Sequence, residues 1–290
     1  MPLAFLQLLR VQNFPSALAD VWAGYFLHLS WGGTFSLRDL ALLSLASLQV
    51  YGAGMALNDF VDYTRDLILH PGRPLPSGRV RQGDALIAAA LLMVGASLCA
   101  MLVSPIQSGI CFGLVLLVLA YDLWTKSRRW TGAVNMGLLR AGNLLLGLGT
   151  GVAAAVPGAG PWLFPALLGG HVFLVTLLST YEEDPLATAA ARTVFGAQLA
   201  VLALPVVLLP WRTAGPWLAA GLFLWFLALG VRGLRRSTTQ AIPRLVVGGI
   251  RGIIVLDAAF VLAQGETALG LVVLSLLVPA LTLGLVFRGS

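Results

Sequence analysis

The chain has 290 residues, of which only 10% are charged (18 basic, 12 acidic) and 58% are hydrophobic. A soluble domain carries roughly 25% charged residues, so this chain could not cover a water-facing surface, and a soluble globular domain, a disordered chain and a nucleic-acid-binding domain are excluded. The net charge of +6 forms no basic stripe interleaved with stacking aromatics; it reads as arginine retained in the cytoplasmic loops of a polytopic membrane protein.

Crossing a bilayer takes about 20 mostly apolar residues per helix. Segments of that size lie near 11–29, 38–57, 84–103, 107–124, 132–155, 161–180, 193–210, 214–232, 245–264 and 268–287. Short connections such as Ser104-Pro105, Val156-Pro157-Gly158 and Leu209-Pro210-Trp211 favour antiparallel helical hairpins. The expected fold is an all-α polytopic membrane protein, a bundle of about nine transmembrane helices, or ten if the last two segments both cross. The whole chain, 1–290, reads as one transmembrane domain. Arg10 interrupts the first apolar run with no basic stretch before it, which argues against a cleaved signal peptide. With the N-terminus inside, 14 of the 18 basic residues fall in cytoplasmic loops, which predicts a multi-pass protein of the cell inner membrane with its N-terminus and acid loops in the cytoplasm. Eight of the twelve acids lie on that same side, six of them in two clusters after the second and sixth segments. The loops after the fourth and eighth segments are basic, and this alternation suggests a duplicated four-helix unit. Cys99 and Cys111 sit in apolar stretches, and His28, His70 and His171 form no ligand pair.

The second segment ends in Asn58-Asp59-Phe-Val-Asp62-Tyr-Thr-Arg-Asp66. On a continuing helix the three aspartates follow i, i+3, i+7 and share a face. Stacked carboxylates repel unless a cation lies between them, and an oxygen-only set suits Mg²⁺, which bridges carboxylates to substrate phosphates. Asn58 adds a neutral oxygen or a donor to phosphate. The bland reading is a solvated helix end. The next stretch, His70-Pro-Gly-Arg73-Pro-Leu-Pro-Ser-Gly-Arg79, is an ordered loop by its prolines and glycines. Arg73 and Arg79 would point back at the acids and take the remaining charge of a diphosphate; the alternative is plain positive-inside anchoring.

Later segments carry further polar residues. Arg140, with Asn143 a turn on, lies inside the fifth segment, where a charge costs a few kcal/mol and faces a cavity or a partner. The sixth is followed by Glu182-Glu183-Asp184-Pro185, then Arg192-Thr193 and Gly196. Consecutive helical residues diverge by about 100°, so the three acids cannot all face one metal on a helix, although Pro185 can end the helix at Asp184 and let a loop turn two of them inward. Arg251 and Asp257 share the ninth segment on different faces, and Asp20 lies in the first. Gly52, Gly54, Gly142 and Gly147 read as close helix packing.

Asn58-Asp59-x-x-Asp62-x-x-x-Asp66 followed by Arg73-Pro-Leu-Pro-Ser-Gly resembles the first signature of the UbiA superfamily of intramembrane prenyltransferases. Arg10-x-x-Asn13 resembles that family's opening motif, and Tyr121-Asp122-x-x-x-Lys126 its tyrosine-and-lysine motif. The resemblance implies helices around a central cavity under cytoplasmic cap loops, and transfer of a polyprenyl group from its diphosphate to an aromatic or alcohol acceptor, small molecule or lipid, in the bilayer. It implies Asp59, Asp62 and Asp66 as catalytic metal-holding residues with Asn58; Arg73, Arg79 and Lys126 on the diphosphate; and Tyr121 bonding it or lining the cation's path. Arg10 and Asn13 would orient the acceptor or the first helix, and Arg192 would be the downstream marker of the second acid motif. Arg140 and Asn143 either face the diphosphate or acceptor or make an interhelical hydrogen bond. The family spaces its second set of aspartates; here Glu182, Glu183 and Asp184 are consecutive, so they would hold a second Mg²⁺ in altered geometry or only part of a ligand set. The alternative is a non-catalytic UbiA-like protein that binds or exports an isoprenoid or aromatic metabolite.

Overall fold

The computed structural model describes residues 2–149, 160–182, 188–236 and 238–287, and all regular structure among them is helical. A short helix α1 (Pro2–Leu8) and a 3₁₀ turn (Val11–Asn13) lead into α2 (Phe14–Ser30). There follow α3 (Leu37–Val61), α4 (Tyr63–Leu69), α5 (Gln82–Met101), α6 (Pro105–Ala120) with a π-helical turn (Tyr121–Thr125), and α7 (Arg129–Leu148). The second half comprises α8 (Gly160–Ser179), α9 (Thr188–Leu208), α10 (Gly215–Arg236), α11 (Thr238–Ala263), α12 (Thr267–Ser275) and α13 (Leu277–Val286).

Local chemistry explains the boundaries. Ser36 caps α3 by accepting from the Asp39 amide at 3.2 Å, and Ser104 caps α6 from the Gln107 amide at 3.3 Å with Pro105 at the first helical position; such caps satisfy amides that a helix start leaves open. Gly149 ends α7 at φ 67°, a conformation glycine adopts without steric cost. The tenth segment breaks at Leu276 because Pro279 lacks an amide hydrogen and its ring clashes with the carbonyl four residues back. The short, almost wholly apolar α1 has no counterpart among the segments read from the sequence, since seven residues are too few to show a period.

Among the described residues, eight helical stretches are long and apolar enough to cross a membrane: Leu37–Val61, Gln82–Met101, Pro105–Thr125, Pro161–Ser179, Ala189–Leu208, Gly215–Gly233, Ala241–Ala263 and Thr267–Val286. The other two segments, the 17-residue α2 and the more polar α7, fall outside that set and pack on each other inside the bundle. Consecutive helices are neighbours, and α2 closes the bundle by touching α3, α7 and α11. The α2–α7 crossing depends on glycine: a Cβ at Gly24 would lie 2.0 Å from the Leu144 carbonyl oxygen, and one at Gly147 would lie 2.0 Å from that of Val21. Gly137 and Gly169 do the same between α7 and α8, each against the other's carbonyl. Close backbone approach through small residues is how membrane helices associate without a hydrophobic drive.

Candidate active site

The site forms where α3, the π-helical turn, the turn before α2 and the loop after α4 meet. Helical bonding passes from α3 into α4 with a break only at Asp62: the Asp62 amide donates to Asn58 O at 2.9 Å and the Asp66 amide to Asp62 O at 2.8 Å. The three aspartates therefore lie along one side, as the spacing requires. Asp59 and Asp66 are 3% and 2% exposed, and Asp62 is half-buried.

Each carboxylate is held by a base from another element. Arg10 Nη2 donates to Asp59 Oδ1 at 3.0 Å, Lys126 Nζ to Asp62 Oδ1 at 2.9 Å, and Arg73 Nη1 to Asp66 Oδ2 at 2.5 Å. The electrostatic repulsion expected of stacked carboxylates is thus relieved by three cationic side chains. Lys126 also reaches Asp122 Oδ1 at 3.5 Å, and that oxygen accepts from Asn58 Nδ2 at 3.1 Å. Asp122, buried at 3% exposure, is a site residue that the sequence reading names only within the Tyr121–Lys126 motif, without a role. Its signal is the i, i+4 acid–base pair with Lys126. The π-helical turn, closed by the Lys126 amide on Tyr121 O at 3.1 Å, sets Asp122 inward and Lys126 toward α3; such bulges recur at functional sites.

A cavity of about 220 Å³ opens from this cluster. Arg10, Asn58, Tyr121 and Asp122 line its acid end; Val50, Tyr51, Met55, Leu114, Val118, Met136 and Leu139 give apolar walls; and Ser47, Arg140 and Asn143 form a polar floor. On the floor, Arg140 Nη1 bonds Asp20 Oδ2 at 2.9 Å and Nη2 bonds Ser16 Oγ at 3.0 Å, while Asn143 Nδ2 donates to Ala17 O at 2.9 Å and Asp20 Oδ2 at 3.0 Å. Arg140 and Asn143 thus make the interhelical bonds that tie α7 to α2 and also line the cavity.

Two residues sit elsewhere than expected. Arg79 does not face an acid; it donates to Gln7 Oε1 at 2.6 Å, Ser77 Oγ at 2.9 Å and Gly72 O at 2.7 Å, pinning the loop to α1. Those nearer acceptors outcompete a carboxylate a loop's width away. Asn13 lines a different cavity, beside Arg251, because the 3₁₀ turn points it away from Arg10. In the second acid motif, Glu182 is half-buried in the turn after α8, with its amide on Ser179 O at 3.1 Å, and the neighbouring Tyr181 ring lies 4.9 Å under the Arg129 guanidinium. Arg192 is on an exposed face of α9. Glu183 and Asp184 lie outside the described residues.

The donor set is oxygen-only, as Mg²⁺ prefers. Among the described residues no three His, Cys, Asp or Glu side chains converge as an all-protein cage would need. Asn58 and one or two of the Asp59, Asp62 and Asp66 carboxylates would hold Mg²⁺, which would offset the charge of a bound phosphate.

This is an all-helical membrane protein with a cation-braced acid cluster above an intramembrane cavity. The UbiA prenyltransferase family model matches residues 17–246, and the chain belongs to that family. Similar proteins include the digeranylgeranylglyceryl phosphate synthases of Methanosarcina barkeri (34% identical over 115 residues, 40% of this chain and 40% of the relative) and Methanosarcina mazei (34% over 154 residues, 49% and 53%). That of Hyperthermus butylicus is 28% identical over 274 residues, 82% of this chain and 87% of the relative. The match spans only 40% and 53% of the length of the two Methanosarcina relatives. Among solved structures, a UbiA homolog from Archaeoglobus fulgidus bound to GPP and Mg²⁺ superposes with a TM-score of 0.69 at 15% identity, covering 94% of this chain and 99% of that one. The apo UbiA homolog from Aeropyrum pernix K1 gives 0.63 at 18% identity, covering 87% and 97%. At these identities the likeness is one of fold.

Proposed function

We propose that the chain transfers a prenyl group from its diphosphate to an acceptor within the bilayer, at the cytoplasmic ends of its helices. The observation that carries this reading is the alternation of Asp59, Asp62, Asp66 and Asp122 with Arg10, Arg73 and Lys126 at one end of a mostly apolar cavity. A diphosphate concentrates more oxyanions than a single carboxylate and competes for the three bases. The carboxylates so freed, with Asn58, would hold Mg²⁺, which when bound neutralises charge growing on the departing diphosphate. Scission of the carbon–oxygen bond leaves an allylic cation beside Tyr51, Tyr121 and Met55, whose ring faces and polarisable sulfur favour positive charge. Val50, Leu114, Val118 and Leu139 keep water from it. The acceptor then forms the new bond and sheds its proton. The names of the archaeal relatives favour a phosphorylated glycerol lipid as acceptor and a geranylgeranyl chain as donor. Glu182, Glu183, Asp184 and Arg192 are the proposed second half of the diphosphate site.

The test is diphosphate release from geranylgeranyl diphosphate by the purified chain in nanodiscs with Mg²⁺ and a panel of lipid and aromatic acceptors. Turnover that falls about 10²-fold or more in Asp62→Asn supports the reading; the loss of one preorganised electrostatic contact is of that size. Binding of the prenyl diphosphate with no release across the panel would overturn it in favour of a non-catalytic isoprenoid binder or exporter.

A further inference from the structure

A second cavity, of about 260 Å³, lies between the turn that begins α2, the middle of α11 and the end of α13. Its polar lining includes Asn13, Ser16 and Arg251, and Val247, Ile254 and Ala280 supply apolar wall. Arg251 stands ten residues, or ~15 Å of helix, into the span Ala241–Ala263. A guanidinium at such a position requires an anion or a polar partner. The other arginine inside the bundle, Arg140, has Asp20 and Ser16. Among the described residues the side chains of Arg251 and Asn13 have no hydrogen-bond or ion-pair partner. Asp257, the acid on the same helix, is six residues on and faces Asp20 and Arg140 instead. Gly284 of α13 leaves the guanidinium uncovered: a Cβ there would come to 3.5 Å from Nη2. Beside it, Leu281 and Leu285 of α13 are exposed, an apolar track on a lipid-facing helix.

We infer that this cavity binds the phosphate headgroup of a membrane amphiphile, with Arg251 as the charged fork, Asn13 as a second donor and the acyl chain along α13. A guanidinium matches phosphate oxygens in a bidentate geometry, and the adjacent apolar track selects an amphiphile over free phosphate. The cavity is lined by none of the acid-cluster carboxylates; it connects to the first site through Ser16, whose hydroxyl accepts from Arg140, and through the Asn13 amide, which donates to Arg10 O at 3.0 Å.

The full chain in detergent, titrated with dioleoylphosphatidic acid, dioleoylphosphatidylcholine or inorganic phosphate, tests this by native mass spectrometry and thermal melting. Phosphatidic acid should bind at least tenfold more tightly than phosphatidylcholine and raise the melting temperature, with inorganic phosphate much weaker. Arg251→Gln should reduce phosphatidic acid affinity at least tenfold without lowering the lipid-free melting temperature. Gly284→Asp, which sets a carboxylate against the guanidinium, should raise the lipid-free melting temperature and abolish the response to phosphatidic acid. Unchanged binding in either variant, equal binding of phosphatidylcholine, or inorganic phosphate as effective as the lipid would overturn the proposal; should Arg251→Gln fail to fold, Gly284→Asp decides. None of these readouts uses turnover, so their outcome is separate from that of the transferase test.

Discussion

Arg10 is the one non-glycine among the described residues with a positive φ, 49°, a left-handed conformation that costs an L-residue about 1–2 kcal/mol. It is held there because the chain must turn between α1 and the 3₁₀ segment just where its guanidinium meets Asp59. Strain of this kind accumulates at functional sites. Arg10→Gly relieves that strain but leaves the buried Asp59 without its partner, so it should lower the melting temperature and also raise KM for prenyl diphosphate at least tenfold; a lowered melting temperature with unchanged KM would make the residue structural. Arg140 sets the opposite case. Its replacement by leucine leaves Asp20 buried and uncompensated, and should destabilise the protein by about 3–5 kcal/mol, measured by thermal melting in detergent. Asp59, Asp62, Asp66 and Asn58 are legible in the sequence because their spacing on a helix is itself the signal. Asp122 and the true partners of Arg79 are not, because they depend on which loop lies against which.

At the scale of elements, helix positions follow from apolar run length: each of the ten segments contains a helix, although the first and fourth include the 3₁₀ and π-helical turns, the fifth, 132–155, is helical to Leu148 with 150–155 outside the described residues, and the tenth is split at Leu276. The central pair α2 and α7 is set by Gly24 and Gly147. Gly147→Ala would press a methyl group into the Val21 carbonyl, and overpacking of that order costs about 1–3 kcal/mol. It should lower the melting temperature and, by tilting α7, move Arg140 and Asn143 at the cavity floor. Gly83→Ala, which meets nothing within 4 Å, should leave the melting temperature unchanged. A Gly147→Ala protein that melts like the native chain would show that the crossing relaxes without cost.

For the molecule as a whole, Arg10, Arg73 and Lys126 offset most of the charge of the four acids Asp59, Asp62, Asp66 and Asp122 without metal. Chelation of Mg²⁺ should therefore abolish diphosphate release yet leave the melting temperature within a degree or two of its starting value, whereas a metal-organised fold would melt earlier. The observed bundle accommodates that behaviour because its contacts, α2 on α3, α7 and α11, run through the interior rather than through the acid loop.

Composition and periodicity alone determined that this chain is a membrane bundle, roughly how many helices it has, and that one face of the second carries three carboxylates, because hydrophobic run length and helical pitch are local properties of a sequence. Tertiary structure decided which base braces which acid, that Asp122 joins them, that Arg140 serves both packing and cavity, and that Asn13 and Arg251 share a second pocket. Most of these pairings join residues far apart in the chain, 49 positions for Arg10 with Asp59 and 124 for Ser16 with Arg140, and are fixed by helix crossings that no local pattern encodes.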